Sequence, residues 1–264
     1  MVTKSYGKKV ILDSISIDFN SSCSLIIGEN GSGKTTLLKI ISGLIVQYTG
    51  EYKTQNNVSI MLDAEILFNS KTGLENIDYF LDKEEYNSAL KWVTFFKMDN
   101  YIKNSVKTYS NGMKKRLMIV IAISKNKEII ILDEPTNSLD IDAIKSLKKC
   151  ILELKNTKKV IIATHDIALA DSGVIDELFM LNNGKIVRRN LQEFNYTIYS
   201  IKTVNEIDSK YEAIQNENDI FYKVNSSEKE KFFKHMSQFI PTEIVEIPVF
   251  DELYFRGLYD EKDI

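Results

Sequence analysis

Residues 28–35 have the types and the spacing of a loop that binds phosphate groups. They read Gly-Glu-Asn-Gly-Ser-Gly-Lys-Thr and match the pattern G-x-x-x-x-G-K-[ST]. Glycines carry no Cβ, so the backbone N–H groups of such a loop approach phosphate oxygens closely, and the following helix adds the positive end of its dipole. We therefore expect a site for ATP or GTP. The residues expected to contact the nucleotide here are Gly28, Asn30, Gly31, Ser32, Gly33, Lys34, Thr35 and Thr36.

Two side chains of this loop have a more specific chemistry. Lys34 is expected to reach the β- and γ-phosphates, and the Thr35 hydroxyl is placed to ligate Mg²⁺, which prefers hard oxygen ligands. A glycine-rich surface turn is the alternative. The flanking residues favour the phosphate loop, because residues 24–27 form an apolar run typical of a buried strand and residues 36–41 continue as an amphipathic helix.

A pair of carboxylates supplies the second half of the chemistry. Four apolar residues, 129–132, precede Asp133 and Glu134, which places both at the carboxyl end of a predicted strand. Asp133 is expected to hold Mg²⁺, usually through water. Glu134 suits a general base that polarises the attacking water, with Lys34 and Mg²⁺ offsetting the charge on the transferred phosphoryl group. The alternative is a solvated strand end.

The elements that must position these residues form an α/β pattern. Up to about Asn190, short apolar strands alternate with helical segments, which predicts a layered domain with a largely parallel sheet. Strands are expected at 24–27, 128–133, 159–164 and 178–181, the last turned into a hairpin at 182–184. Between residues 74 and 107 the apolar positions have helical spacing, which predicts a helical insert.

The character of the chain changes after Asn190. Short strands are expected at 196–204, 220–224 and 243–249, together with a helix opened by Ser227 and Glu230 as a capping box. This pattern predicts a small α+β appendage, for which we expect a structural or docking role.

Composition narrows the class of protein. The 264 residues have a formal net charge of −3, 44% hydrophobic and 27% charged residues, which gives no electrostatic reason to expect a nucleic-acid partner. Cys23 and Cys150 stand alone, so neither a metal site nor a disulfide framework is indicated, and a reducing cytoplasm is expected. The longest apolar stretch, 117–123, is shorter than the roughly 20 residues of a membrane span, and no signal peptide is recognisable.

Three further motifs carry a family resemblance. Residues 109–116 read Tyr-Ser-Asn-Gly-Met-Lys-Lys-Arg, and 129–136 are followed by Ser138-Leu139-Asp140. In order and spacing, residues 3–190 resemble the ATP-binding subunit of ABC transporters. The resemblance implies a P-loop NTPase core with an antiparallel β subdomain. It implies an ABC ATPase domain at 1–190, with a helical subdomain at about 64–125, and leaves 191–264 as a small α+β accessory domain.

The resemblance also assigns expected roles to single residues. Tyr6 is similar to the aromatic platform for adenine, and His165 to the switch histidine that contacts the γ-phosphate; an ordinary strand tyrosine and a structural histidine are the alternatives. Ser110 and Gly112 are similar to signature residues that donate to the γ-phosphate held by the opposite protomer. Asp140 is similar to the residue that lines the dimer seam. The resemblance therefore implies that one chain makes half of each site and that ATP holds a head-to-tail dimer together.

Three positions depart from the family pattern. Asn111 stands where the signature usually has Gly, and Met113 where it has Gln; we expect the loop to survive because Asn tolerates the left-handed backbone region. Asp63 falls where the family carries a metal-contacting glutamine. A carboxylate still ligates Mg²⁺ but adds negative charge near the γ-phosphate, which predicts slow or differently regulated hydrolysis.

The resulting hypothesis is the ATPase of a membrane transporter, with ATP and Mg²⁺ as cofactors and no nucleic acid. The expected partners are separate transmembrane permease subunits, whose coupling helices insert near residues 63–80, and a second copy or related ATPase subunit. The expected location is the cytoplasmic face of the cell membrane. Residues 249–255 are similar to the tail of drug and peptide exporter ATPases, which favours export. A soluble ABC ATPase acting on DNA or the ribosome and a low-turnover regulatory partner are the alternatives.

Overall fold

The chain folds into two compact units, Met1–Arg188 and Arg189–Ile264. A computed structural model describes residues 1–52, 57–61, 66–166, 169, 173–189, 196–202, 213–216, 219–236 and 243–247. Asp63 and residues 249–255 lie outside these ranges.

Nine of the described strands begin in the first unit. They are β1 Val2–Tyr6, β2 Lys9–Ile15, β3 Cys23–Ile27, β4 Thr49–Gly50, β5 Val58–Met61, β6 Ile129–Asp133, β7 Lys159–Thr164, β8 Glu177–Asn182 and β9 Lys185–Arg189. Six of them form one sheet in the order β5-β6-β7-β3-β8-β9. Its neighbouring pairs from β5 through to β8 are parallel. The carboxyl ends of β3, β6 and β7 therefore lie side by side, which brings the phosphate loop and both carboxylates to one edge.

A second, antiparallel sheet has the order β2-β1-β4. Tyr6 ends β1 and pairs with Lys9 across a tight turn in which Gly7 has φ 60°. The expected antiparallel β subdomain and α/β core are confirmed.

The core forms where helix α1, Lys34–Ile41, packs on the parallel sheet. Leu37, Leu38 and Ile40 from the helix join Ile131 and Ile161 from the strands in one buried cluster. Burying this apolar face fixes the helix, and with it the loop that precedes it, against the sheet.

The helical insert contains α2 Gly73–Phe80, α3 Lys83–Phe95 and α4 Asn111–Ser124. Capping boxes open α2 at Thr72 and α3 at Asp82, which satisfies backbone N–H groups of their first turns. Every residue of α4 from 117 to 124 is buried. The apolar run of the sequence is thus a core helix, and no described helix is long and apolar enough to span a bilayer.

The described residues of the second unit form a four-stranded sheet and one α-helix. The strands are β10 Tyr196–Lys202, β11 Ala213–Asn216, β12 Asp219–Asn225 and β13 Glu243–Ile247, in the order β11-β12-β10-β13. Helix α6, Lys229–Met236, buries Phe232, whose ring lies 5.7 Å from that of Tyr222.

The predicted capping box at Ser227 and Glu230 is wrong. Asn225 caps a short 3₁₀ turn, Ser226–Glu228, by accepting from the Ser227 N–H, and α6 begins only at Lys229. The Ser227 hydroxyl donates to the same Asn225 oxygen. An Asn two residues earlier in the chain therefore takes the capping role.

Candidate functional site

The phosphate loop joins β3 to α1 and needs its glycines. Gly31 has φ 87°, and Gly33, the N-cap of α1, has φ 108°, a conformation that side chains with a Cβ rarely adopt. A Cβ on Gly28 would lie 2.3 Å from the Leu181 carbonyl oxygen. The start of the loop therefore packs directly against β8, with no room for a side chain at Gly28.

Lys34 lies folded back over this loop. Its side chain is buried, and Nζ donates to the carbonyl oxygens of Gly28 at 2.7 Å and Glu29 at 3.1 Å. The same Nζ lies 3.3 Å from Oε1 of Glu134. The lysine charge is thus already paired with the second carboxylate of the site.

Asp133 and Thr35 form the part of the site that suits a metal ion. The Thr35 hydroxyl donates to Oδ2 of Asp133 at 2.6 Å. Oδ1 of Asp133 is buried and has no hydrogen-bond partner in the described part of the chain. Burial raises the pKa of Asp133, and the neighbouring Glu134 charge adds to this, although the Thr35 hydroxyl and nearby lysines oppose it. An oxygen left bare beside a hydroxyl fits a hard cation such as Mg²⁺.

Glu134 is held by several contacts from the end of β7. Its N–H donates to Ala163 O at 2.7 Å, and Oε2 accepts from the Thr164 hydroxyl at 2.9 Å. Nδ1 of His165 lies 3.0 Å from the same oxygen. Burial acts to raise the pKa of Glu134, but the hydrogen bonds from His165 and Thr164 and the Lys34 charge outweigh it, so the pKa lies below its ordinary value.

Thr164 is a site residue that the sequence patterns did not single out. The sequence does offer one indication, because Thr164 ends a predicted strand and directly precedes His165. A threonine in a strand is so common that the type alone does not mark it.

Ser110 and Gly112 open helix α4. The Ser110 hydroxyl accepts from Met113 N–H at 3.2 Å as the N-cap of this helix. Asn111 is its first residue and has no positive φ, so helical backbone, and not a left-handed conformation, accommodates Asn at this position. A Cβ on Gly112 would lie 2.5 Å from the Ser138 carbonyl oxygen.

Asp140 joins two elements. It is the N-cap of α5, Ile141–Leu154, and Oδ1 accepts from Ala143 N–H at 2.8 Å. Oδ2 accepts from the Arg116 guanidinium at 2.5 Å, and this guanidinium also donates to the Phe96 carbonyl. The sequence patterns did not predict either contact.

Tyr6 presents a partly exposed ring. Its side chain is 53% exposed, and the Nζ of Lys4 lies 4.6 Å from the ring centroid. Lys4 itself is buried and donates to the Gln47 carbonyl at 2.6 Å. One region of the ring thus contacts a fixed cation.

The contacts divide the predicted site residues into groups. Hydrogen bonds and ion pairs connect Lys34 with Glu134 and His165, and Thr35 with Asp133. Among the described residues no such bond joins Ser110, Gly112 or Tyr6 to this group. Within one chain, the phosphate loop and the two carboxylates thus meet at one edge of the sheet. Among the described hydrogen bonds and ion pairs, none joins the signature residues to them.

Comparison of the fold with solved structures gives the same architecture. An ATP-binding subunit of an ABC transporter superposes with a TM-score of 0.64 at 22% identity, covering 74% of this chain and 89% of that one. The dimeric bacterial ABC transporter cassette MJ0796 superposes with a TM-score of 0.62 at 20% identity, covering 72% and 99%. At such identities the likeness establishes the fold.

Comparison of sequences gives the family. The ABC transporter family model matches residues 12–137. The ATP-binding protein NatA of Bacillus subtilis is 30% identical over 190 residues, or 65% of this chain and 77% of NatA. The energy-coupling factor transporter ATP-binding protein EcfA of Aster yellows witches'-broom phytoplasma is 33% identical over 69% of this chain and 74% of EcfA. The lantibiotic transport ATP-binding protein SrtF of Streptococcus pyogenes is 28% identical over 70% and 86%. NatA and EcfA are each at least 30% identical to this chain, over more than two thirds of their own length. The chain therefore belongs to the ABC transporter ATP-binding proteins and is an ABC ATPase, whose hydrolysis of ATP energises transport.

Proposed function

We propose that this ATPase powers export through separate transmembrane permease subunits, by ATP-driven closure of a dimer. The convergence of Lys34, Asp133, Glu134 and His165 at one sheet edge carries the ATPase part of the proposal. The tail at 249–255 and the similarity to SrtF support export.

The phosphates of ATP would lie along residues 28–36 at the positive end of α1. Lys34 exchanges the Gly28 and Glu29 carbonyls for phosphate oxygens. Thr35 and Asp133 would hold Mg²⁺, with Asp63 as a further ligand, and the ion would offset the negative charge of the phosphates. Glu134 accepts a hydrogen bond from the attacking water and takes up its proton, while His165 contacts the γ-phosphate.

The second half of each site would come from a partner copy or a related ATPase subunit. Ser110 is exposed, and none of the described hydrogen bonds or ion pairs ties it to the chain's own phosphate loop. We propose that Ser110 and Gly112 donate to the nucleotide of the partner, that Asp140 lines the seam between the copies and that Tyr6 stacks on adenine. The dimer therefore closes only when ATP is present.

The permease would dock on the helical insert. Phe68 and Tyr79 are 36% and 64% exposed, and their ring centroids lie 4.5 Å apart. The Phe80 ring stacks on that of Phe68 at 5.9 Å. Such an exposed aromatic cluster is typical of a protein interaction site. It supports a permease contact near residues 63–80, and we propose that the chain acts at the cytoplasmic face of the cell membrane.

We also propose a division of labour along the chain. Residues 1–190 act as the ABC ATPase domain, with the helical subdomain at about 64–125. Residues 191–264 act as an accessory α+β domain.

Substitution of Glu134 tests the ATPase proposal. We expect Glu134→Gln to bind ATP normally and to lower kcat by about 10²- to 10⁴-fold, the usual contribution of a general base. Glu128→Gln, at an exposed carboxylate just before β6, is the matched control and should keep full activity. Turnover by Glu134→Gln equal to that of the unsubstituted protein would contradict the proposal.

Purification from membranes tests the transport proposal. We expect a hydrophobic permease to co-purify with the chain, and Phe68→Ser with Tyr79→Ser to release it while ATP binding persists. Vesicles containing the recovered complex would then show ATP-dependent movement of cargo away from the ATPase side. Movement toward that side would rule out export.

A further inference from the structure

We infer that Thr164 is a positioning residue for Glu134, holding the carboxylate in place throughout the reaction cycle. The inference rests on the proposed role of Glu134 as the general base and adds a residue that acts through it.

The first observation is where Thr164 lies. It is the last residue of β7 and is fully buried, so its side chain is withdrawn from solvent. Asp133 on β6 pairs with Ala163 on β7, which sets the next residue, Glu134, beside Thr164. The register of β6 and β7 therefore places the Glu134 carboxylate next to the Thr164 hydroxyl.

The second observation is the direction of the hydroxyl proton. The Thr164 Oγ1 accepts from the Asp166 N–H at 3.0 Å and lies 2.9 Å from Oε2 of Glu134. A hydroxyl has one proton, and a carboxylate can only accept. The Thr164 proton is therefore committed to Glu134, while a backbone N–H fixes the hydroxyl from the other side.

The third observation is that Glu134 needs a firm support. Its φ is 46°, in the left-handed region that a residue with a Cβ seldom adopts. Such a conformation persists only where the surroundings enforce it. The bond from its N–H to Ala163 O fixes the backbone, and the Thr164 hydroxyl fixes the end of the side chain.

The fourth observation separates Thr164 from the other partners of the carboxylate. Lys34 Nζ and His165 Nδ1 lie 3.3 Å and 3.0 Å from Glu134 oxygens. Both are proposed to turn to the γ-phosphate when ATP binds. Thr164 is buried and keeps its partner, so its hydroxyl, together with the His165 backbone N–H at 3.4 Å, holds the carboxylate while Glu134 takes up a proton from the attacking water.

Two valine substitutions make a matched test. Thr164→Val removes the positioning hydroxyl and keeps the side-chain shape. Thr136→Val removes a hydroxyl that is also buried near the site but has no hydrogen-bond partner among the described residues. Single-turnover hydrolysis of ATP with Mg²⁺ by the full chain should fall about 10- to 100-fold in Thr164→Val, the usual effect of losing an orienting partner. It should be unchanged in Thr136→Val, and ATP affinity should be unchanged in both.

Rescue distinguishes positioning from simple structural support. Thr164→Ser keeps the hydroxyl and should restore most of the hydrolysis rate. A Thr164→Val protein as active as Thr136→Val, or a Thr164→Ser protein as slow as Thr164→Val, would overturn the inference. If Thr164→Val does not fold, Thr164→Ala removes the same hydroxyl and replaces it in the comparison.

Glu134→Gln separates this inference from the proposed function. If Glu134→Gln keeps its turnover, the general-base proposal fails and the inference falls with it. If Glu134→Gln is inactive while Thr164→Val is fully active, the inference alone fails. We also expect crystals of Thr164→Val to show the Glu134 carboxylate displaced from His165; an unmoved carboxylate would overturn the inference without any measurement of turnover.

Discussion

At the scale of single residues, the missing Cβ of Gly112 allows the first turn of α4 to approach the segment around Ser138. Gly112 lies in the first turn of α4, where its backbone closely approaches the Ser138 carbonyl. Ser138 has φ 66°, an uncommon value for a residue with a Cβ. The signature turn and the segment after Glu134 are therefore packed backbone against backbone, and a side chain at position 112 would separate them.

Gly112→Ala tests this packing, because helix propensity predicts the opposite result. Alanine normally stabilises a helix by about 1 kcal/mol over glycine. Here the added Cβ would meet the Ser138 carbonyl, so we expect the free energy of unfolding to fall by about 1–3 kcal/mol, as in other overpacked sites. Denaturant unfolding measures the change. Asn111→Ala, at the exposed neighbouring position, should change stability by less than about 0.5 kcal/mol. A more stable Gly112→Ala protein would refute the packing argument.

The residues of the phosphate edge could be expected from sequence because their backbone roles are local. A loop between strand and helix, and carboxylates at a strand end, follow from patterns a few residues long. The partners of those residues could not be expected in the same way. Thr164 and Arg116 act through contacts between segments far apart in the chain, which a local pattern does not contain.

At the scale of elements, Asp140 holds the start of α5 and ties it to α4. One carboxylate oxygen caps α5, and the other accepts from Arg116. The guanidinium also donates to the carbonyl of Phe96, the C-cap residue that follows α3. Three helices are thus connected through two side chains.

Two substitutions at Asp140 separate the cap from the ion pair. Asparagine caps helices as well as aspartate does, so Asp140→Asn should keep the cap and lose only the charge. We expect it to cost about 0–1 kcal/mol, because the Asp140 side chain is largely exposed to solvent. Asp140→Ala also loses the cap and should cost about 1 kcal/mol more. Equal unfolding free energies for the two variants would show that the cap contributes nothing.

Most helices and strands could be predicted from the sequence, and the two exceptions are the start of α6 and the position of Asn111. Buried strands such as β7 are continuous apolar runs, and their bounds agree with the expected ones. The start of α6 was missed because Ser227 and Asn225 are both good caps, and their competition is settled by the turn that precedes the helix. Asn111 was expected in a loop, yet the N-cap at Ser110 draws it into α4.

At the scale of the whole molecule, the two cysteines indicate how well the core of the first unit excludes solvent. Cys23 and Cys150 are fully buried. Burial, with the Asp176 charge, raises the pKa of Cys23 to about 12, and burial likewise raises the pKa of Cys150. Only the thiolate reacts readily, so both thiols should be inert in the native state.

Thiol labelling tests this closure. At pH 8 we expect no labelling of the native chain on the timescale in which the denatured chain reacts at both thiols. Raising the pH to 10 should speed the denatured chain only, since the native Cys23 thiol resists ionisation until about pH 12. ATP with Mg²⁺ should slow the residual native reaction by stabilising the folded state. Rapid native labelling that ATP leaves unchanged would contradict a closed core.

The pairing of Lys34 with Glu134 has a consequence for turnover. A carboxylate tethered in the same polypeptide faces the lysine at an effective concentration on the order of millimolar or above. We expect this internal anion to compete with orthophosphate for the lysine after hydrolysis. Orthophosphate in solution should therefore inhibit the next cycle of ATP hydrolysis only weakly.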